Sequence, residues 1–405
     1  MADIFMVKMD FIQTMAFASV LYWLGVTLCR RVKFLIRYNI PPAVVGGLLF
    51  AVLRLLLTSR VGFEFDLTLM EPFMIAFFTT IGLGASVALL KKGGSAAFKL
   101  LLAACLLLIL QNAAAIVIGK FSGLHPMLSV LAGSATMTGG HGTGLVFADE
   151  LERVFGLQGA QATGIACATF GVLAGSLLGG PIAERLIKGH SLAKEVNGES
   201  YRKEMIPDVF SFGDTGEEIN THSILMTVFQ ITFAVGLGMW FSEWLGARGI
   251  LLPAYALALV AGMVIRNTGD HVRLLRVNPR IVNHISGACL SFFLAFALMS
   301  VDLTALSGLA APLFSILAFQ VVLMILFAYY VTFRLTGGDY QAAVITAGHT
   351  GFGLGATPNA IANMEAVCAK YGIAPDAFFA VAAVGAFFID IVNVIVINVL
   401  IKIFA

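Results

Sequence analysis

Charge is scarce in this chain. Acidic and basic residues fill 12% of its 405 positions, and 25 Lys and Arg nearly balance 23 Asp and Glu. A formal net charge of +2, spread thinly, argues against a nucleic-acid partner or a charged membrane-surface module. The five cysteines, Cys29, Cys105, Cys167, Cys289 and Cys368, form no C-x-x-C pair and fall mostly in apolar stretches, against a disulfide framework or a zinc site. H-E-x-x-H and G-x-S-x-G are missing, as is a second mid-span aspartate to pair with Asp390, so an embedded enzyme lacks its reacting groups. The first apolar run, Phe11–Cys29, has neither a basic n-region before it nor a small-residue cleavage site after it. It is expected to stay as a span.

What the chain has instead is apolar surface: 59% hydrophobic residues and a mean hydropathy of +0.93, the composition of a polytopic membrane protein. A window of about 19 residues predicts ten spans, at 9–29, 40–59, 71–90, 97–119, 162–188, 222–246, 250–266, 283–302, 310–333 and 376–403. Two more apolar segments, 127–147 and 339–366, are rich in Gly, Thr, Asn and His. Irregular backbone at membrane depth survives only where protein or water covers it, so both are expected to be re-entrant hairpins. Glu184–Thr221 holds 13 acidic and basic residues and reads as a linker. The expected division is 1–188, a linker at 189–221, and 222–405.

Basic residues mark cytoplasmic loops. Arg30, Arg31, Lys33 and Arg37 follow the first span, the next loop is acidic (Glu64, Asp66 and Glu71 against Arg60), and the one after has Lys91 and Lys92. Asp149, Glu150 and Glu152 follow the first hairpin, and Arg266, Arg273, Arg276 and Arg280 follow the seventh span. This predicts both termini outside and the linker inside. Ile40–Arg54 is echoed by Leu251–Arg266, Phe77–Phe78 by Phe292–Phe293, Ala132–Gly133 by Ala347–Gly348, Gly140 by Gly355 and Glu150 by Glu365, at offsets of 211 to 215. Five spans per half, an odd number, turn the second repeat upside down relative to the first.

Inverted repeats with broken apolar segments at matching places point to a secondary transporter whose site lies between the breaks. At such a tip, free N–H groups of a half-helix can face an anion while exposed carbonyls hold a cation. Thr136, Thr138, Gly139, Gly140, Gly142 and Thr143 in the first break, with Gly353, Gly355, Thr357 and Asn359 in the second, are the candidate substrate residues. Asp390, mid-span and therefore costly, shares a helix face with Asn393. With Asn363 and Gly348 they form the candidate sodium set, sodium preferring hard oxygen ligands. Capping of hairpin N–H groups explains Asp390 equally well.

The strings TGGHGTG (Thr138–Gly144), AGHTGFGLGATPNAIANM (Ala347–Met364), PFMIAFFTTIGLGAS (Pro72–Ser86) and GAFFIDIVN (Gly385–Asn393) resemble the bacterial glutamate:sodium symporter family over nearly the whole chain. Where that family reads Ser-Gly-Gly, this chain has Thr138-Gly139-Gly140, one hydroxyl for another. The resemblance implies an all-α inverted-repeat fold with two hairpins and sodium-coupled L-glutamate uptake across the bacterial inner membrane. It also implies a homodimer with an elevator-like movement. Sodium is then the co-transported ion, and no organic cofactor is expected.

Blander explanations stand beside these. Glycines in membrane helices commonly serve close packing; it is the pairing of the two breaks at one offset that favours a site. Gly351-x-Gly353-x-x-Ala356 matches a dinucleotide fingerprint in letters only. His141 and His349 lack partners at ligand spacing and read as hydrogen-bonded structural groups. Gln111, Asn112, Thr79 and Thr80 are explained by interhelical hydrogen bonds, and Arg54 and Arg266 by snorkelling. A glycine-rich channel filter is disfavoured because two asymmetric hairpins suit alternating access better than a symmetric ring. Among transporters the alternative is a sodium-coupled di- or tricarboxylate carrier.

Overall fold

Apolar runs bounded by caps set the elements. In a computed structural model, which describes residues 5–37, 40–57, 61–92, 94–192, 219–248, 252–269, 276–300, 309–372 and 374–404, β1 (Phe5–Met9) leads into α1 (Phe11–Arg31), capped by the Asp10 side chain on Gln13 N. Then come α2 (Lys33–Arg37), α3 (Pro42–Leu57), β2 (Val61–Phe65), α4 (Met70–Gly84), α5 (Val87–Lys92) and α6 (Gly94–Phe121). The first glycine-rich segment is α7 (Pro126–Val130), a π-helical turn (Leu131–Ala135) and α8 (Gly140–Arg153), followed by α9 (Ala160–Gly189). The second half runs α10 (Thr221–Gly246), α11 (Ala254–Gly269), α12 (Pro279–Ser300), α13 (Ala310–Phe327), a π turn (Ala328–Thr332) and α14 (Phe333–Thr336). The second glycine-rich segment is α15 (Tyr340–Leu354) and α16 (Thr357–Tyr371). It leads to α17 (Pro375–Ala383), a third π turn (Val384–Phe388) and α18 (Ile389–Phe404).

This is a nearly all-helical, multi-pass membrane protein. Among the described residues seven helices are long and apolar enough to cross a bilayer. The spans expected at 40–59, 71–90 and 250–266 appear as α3, α4 and α11, of 16, 15 and 16 residues. At 1.5 Å per residue these reach about 24 Å, short of a 30 Å hydrocarbon core. The span expected at 71–90 also breaks after α4. There the Asn267 side chain takes the freed groups, accepting from Val87 N at 2.8 Å and donating to Ala85 O at 2.9 Å. Most of the expected linker, at 193–218, and Arg273 lie outside the described residues.

Small residues let short helices touch. A Cβ on Gly82 of α4 would stand 2.0 Å from Leu259 O of α11, and one on Gly262 would stand 2.6 Å from Thr79 O. α1 packs on α3 as α10 packs on α11, and α3 packs on α12 as α11 packs on α4. The remaining helices, α6 to α9 and α13 to α18, form a second group. Its links to the first include α8 on α12, α18 on α11 and the third π turn on α4. Arg54 and Arg266 do not snorkel. Arg54 donates to Met299 O and Ser300 O at 3.3 and 3.2 Å, and Arg266, 6% exposed, donates to Val277 O at 3.2 Å. Carbonyls at the ends of short helices and turns need donors where water is scarce.

Two strands were not expected. β1 pairs in parallel with β2 from Phe5 with Val61 to Met9 with Phe65, and Lys8 meets Glu64 at 2.7 Å. Phe63 and Phe65 lie against Phe50, with ring centroids 5.2 and 5.7 Å away.

Candidate functional site

Both glycine-rich segments break in the interior of the second group. In the first, Gly133 leaves helical geometry (φ −91°, ψ −139°) inside its π turn. Ser134 O then receives Thr138 N at 3.1 Å and Gly139 N at 3.0 Å, and α8 begins at Gly140 with φ +60°. In the second, α15 ends at Gly355 (φ −151°, ψ −91°) and Ala356 is extended ahead of α16. The arms are too short to cross a bilayer alone, with 14 residues in α8 and 15 each in α15 and α16.

The breaks meet. A Cβ on Gly140 would lie 2.8 Å from Gly355 O, so the starts of α8 and α16 adjoin. Neither start has a side-chain cap, whereas Asp10, Asn220 and Asp339 cap α1, α10 and α15. Two helix N-termini thus adjoin, buried at Gly140 and half-buried at Thr357, where the helix dipoles favour negative charge. On α16 Pro358 has no N–H and Asn359 N donates to Ala356 O at 3.0 Å, so the first-turn donor there is Thr357 N. Asn359, in the first turn of α16 and fully buried, donates to Val172 O at 2.9 Å, and its Oδ1 has no partner among the described residues.

Polar side chains from neighbouring helices hold the tips. In α6, Gln111 Nε2 donates to Gly353 O at 2.7 Å while its Oε1 accepts from Thr138 Oγ1 at 2.8 Å. Next to it, Asn112 Nδ2 donates to Ser134 Oγ at 2.7 Å, and its Oδ1 accepts from Ser134 N at 3.0 Å. Ser134 Oγ donates to Asn393 Oδ1 at 2.6 Å, and Asn393 Nδ2 returns a bond to Ser134 O at 3.0 Å. Gln320 of α13 donates to Gln111 O at 2.9 Å and Ala132 O at 3.3 Å.

Residues 7–373 match the sequence model of the sodium/glutamate symporter family. The sodium/glutamate symporter of Escherichia coli K12 is 40% identical over 395 residues, covering 97% of this chain and 98% of that protein. That of Haemophilus influenzae is 39% identical over 384 residues, covering 94% of each. The chain belongs to the sodium/glutamate symporter family. These relatives are named symporters, not enzymes.

Within this family member the expected substrate residues divide. Gly140 and Gly355 face each other, Thr138 and Gly353 are joined through Gln111, and Asn359 lies in the first turn beyond the second break. Gly139 precedes α8, where a Cβ would meet Thr143 Cβ at 2.5 Å. Thr136 donates to Leu131 O within its own segment, and Thr357 donates to Gly385 O at 2.7 Å. Gly142 turns toward Phe77 of α4, 3.0 Å from where its Cβ would be. The four sodium candidates do not share one place. Asp390 and Asn393 are on α18, and Asn393 faces Ser134; Asn363 donates to Gly175 O at 2.9 Å, and Gly348 packs on Met364 and Val381. Asp390 is half-buried, and its carboxylate makes no hydrogen bond or ion pair among the described residues. The capping contact is therefore not made in this arrangement.

His141 and His349 bond to Thr169 Oγ1 at 3.1 Å and Thr332 Oγ1 at 2.9 Å. Ser134, Gln320 and the three π turns escaped the sequence reading. A glutamine inside the apolar run of α13 was the one visible signal. At the C-terminal end of α8, beyond the apolar stretch, a cavity of about 460 Å³ is lined by Glu71, Asp149, Glu150, Arg153, Tyr255 and Asn398 among others. Tyr255 donates to Glu150 at 3.1 Å and Arg153 reaches Glu71 at 3.5 Å, bonds between the two helix groups. Burial raises the Asp149 and Glu150 carboxyls above their ordinary 3.8 and 4.5.

Proposed function

We propose that this protein imports L-glutamate with sodium, holding the substrate between the two glycine-rich tips and exposing it alternately to either side. The observation that carries the reading is the convergence of two uncapped half-helix N-termini at Gly140 and Thr357, a ready site for a carboxylate. Family membership supplies the choice of glutamate and sodium. Asp390 with Asn393 forms one cation position, and Asn363, near Gly348, belongs to a second. Two positions fit the energetics, since one charge moved across 100 mV is worth about 2.3 kcal/mol. Two sodium ions with one glutamate anion give inward, electrogenic transport.

The halves act as inverted repeats whose broken segments are re-entrant hairpins. Support comes from equivalent contacts. Gly47 of the first half abuts Leu298 of the second, and Gly262 of the second abuts Leu83 of the first, each position 215 from its counterpart. Helix-end carbonyls at Met299 and Ser300 are held by Arg54, and that at Ala85 by Asn267. Movement of the second helix group against the first, in a homodimer in the inner membrane, supplies alternating access. The first hairpin opens to the periplasm and the second to the cytoplasm.

Labelled-glutamate uptake into proteoliposomes, challenged with aspartate, citrate and malate, tests the substrate. Glutamate should compete best. Citrate or malate competing better would replace this reading with the di- or tricarboxylate carrier.

A further inference from the structure

The least explained polar residues in this membrane protein are Gln111 and Asn112, adjacent in a 28-residue helix whose other buried positions are all apolar or glycine. Burying two amides is costly unless each is bonded. Here all four of their side-chain polar atoms are bonded, and all to the broken segments. Gln111 takes one bond from each tip, to Gly353 O and from Thr138 Oγ1. Asn112 takes both of its bonds from Ser134, and the same serine exchanges two bonds with Asn393 on the helix of Asp390. Gly133 is glycine for this reason, since a Cβ there would stand 2.5 Å from Asn112 Oδ1.

We propose that Gln111 and Asn112 are positioning residues that couple cation occupancy on α18 to the geometry of both substrate tips. The proposal rests on the reading of Asp390 and Asn393 as a cation position. A cation drawing on Asn393 Oδ1 competes with its bond from Ser134. Ser134 is fixed to Asn112 on both its N–H and its hydroxyl, so that change is passed to α6. The preceding residue, Gln111, holds the carbonyl one position before the end of α15 and a hydroxyl two positions before the start of α8. One rigid dipeptide therefore sets the separation of the two half-helix N-termini. Gln320, donating to the Gln111 carbonyl and to Ala132 O, keeps that stretch of α6 against the first break. Interhelical packing alone needs bonds to any neighbour; these go to the first break, the second break and, through Ser134, the α18 face.

The test uses the full-length protein in proteoliposomes. Wild type is measured first, and absence of sodium-driven glutamate uptake there defeats the proposed function rather than this inference. Gln111→Met preserves length and removes both tip bonds. It should raise the glutamate KM about tenfold, and the sodium concentration for half-maximal uptake several-fold, with Vmax per folded protein changed much less. Asn112→Leu should shift sodium activation more than glutamate KM. Thr138→Ser keeps the hydroxyl bond to Gln111 and should shift both constants less than Thr138→Val, which should reproduce part of the Gln111→Met shift. If Gln111→Met does not assemble, Thr138→Val against Thr138→Ser decides in the same way. Both constants within twofold of wild type, with only yield or thermal stability reduced, would overturn the coupling role.

Discussion

Replacing Gly140 with alanine separates the cost of backbone geometry from the cost of lost tip contact, because the structure offers an internal control. Gly140 and Gly156 have φ of +60° and +66°, where an L side chain costs about 1–2 kcal/mol. A Cβ on Gly156 meets nothing within 4 Å, whereas one on Gly140 lies 2.8 Å from Gly355 O. That approach forces the tips apart and adds an overpacking cost of about 1–3 kcal/mol. Gly140→Ala should therefore cost about 3 kcal/mol, or about a hundredfold in the population with apposed tips. Gly156→Ala should cost only the backbone part. Gly142→Ala is a second control, since its Cβ would meet the Phe77 ring edge at 3.0 Å and Leu290 Cδ1 at 3.4 Å, side-chain ends that can yield. Glutamate KM and Vmax, normalised to folded protein, with thermal unfolding of each variant, make the comparison. Wild-type kinetics for Gly140→Ala, or equal kinetic loss for Gly156→Ala, would refute the apposed-tip geometry.

Further outcomes can be checked alongside. Gly355→Val should abolish uptake while leaving an assembled protein, since even a Cβ there stands 2.7 Å from Asn359 Nδ2 and 3.0 Å from Val172 Cα. Asp390→Asn should raise the sodium needed for half-maximal uptake; an unchanged sodium curve with unchanged activity removes Asp390 from the site. Cysteines placed at Gly142 and Thr357 in a cysteine-free background should react with impermeant thiol reagents from opposite sides, and same-sided labelling rejects the inverted arrangement. Asp149 and Glu150, raised by burial, bind protons more tightly folded than unfolded. Stability should thus fall as pH rises from their ordinary values through the raised ones; thermal unfolding against pH should show that slope, and Asp149→Asn should flatten it.

Seven of the ten expected spans were legible because bilayer insertion demands long apolar runs, and the breaks because glycine and threonine interrupt two apolar segments. Gly140 and Gly355 could be paired by offset before their contact was visible. Their local geometry could not, since φ +60° at Gly140 and the non-helical φ −151°, ψ −91° at Gly355 follow from tertiary packing. The role of Gln111 was hidden for a different reason. Its partners are 27 and 242 residues away, and mid-span amides look alike whether they hold a lipid-facing helix pair or a binding tip. The interruption after α4 carries no proline, and its signal, Asn267, is 182 residues from the carbonyl it serves. β1 and β2 are five residues each, pair in parallel, and have no turn between them to announce the pairing.

The central claim is that sodium drives glutamate inward through the apposed tips. Uptake of labelled L-glutamate into proteoliposomes, with an inward sodium gradient and then with sodium replaced by choline or potassium, tests it most directly. The account predicts concentrative uptake that a negative-inside potential accelerates, that collapses without sodium and that is lost in Gly140→Val. Uptake that persists unchanged in choline or potassium would contradict it.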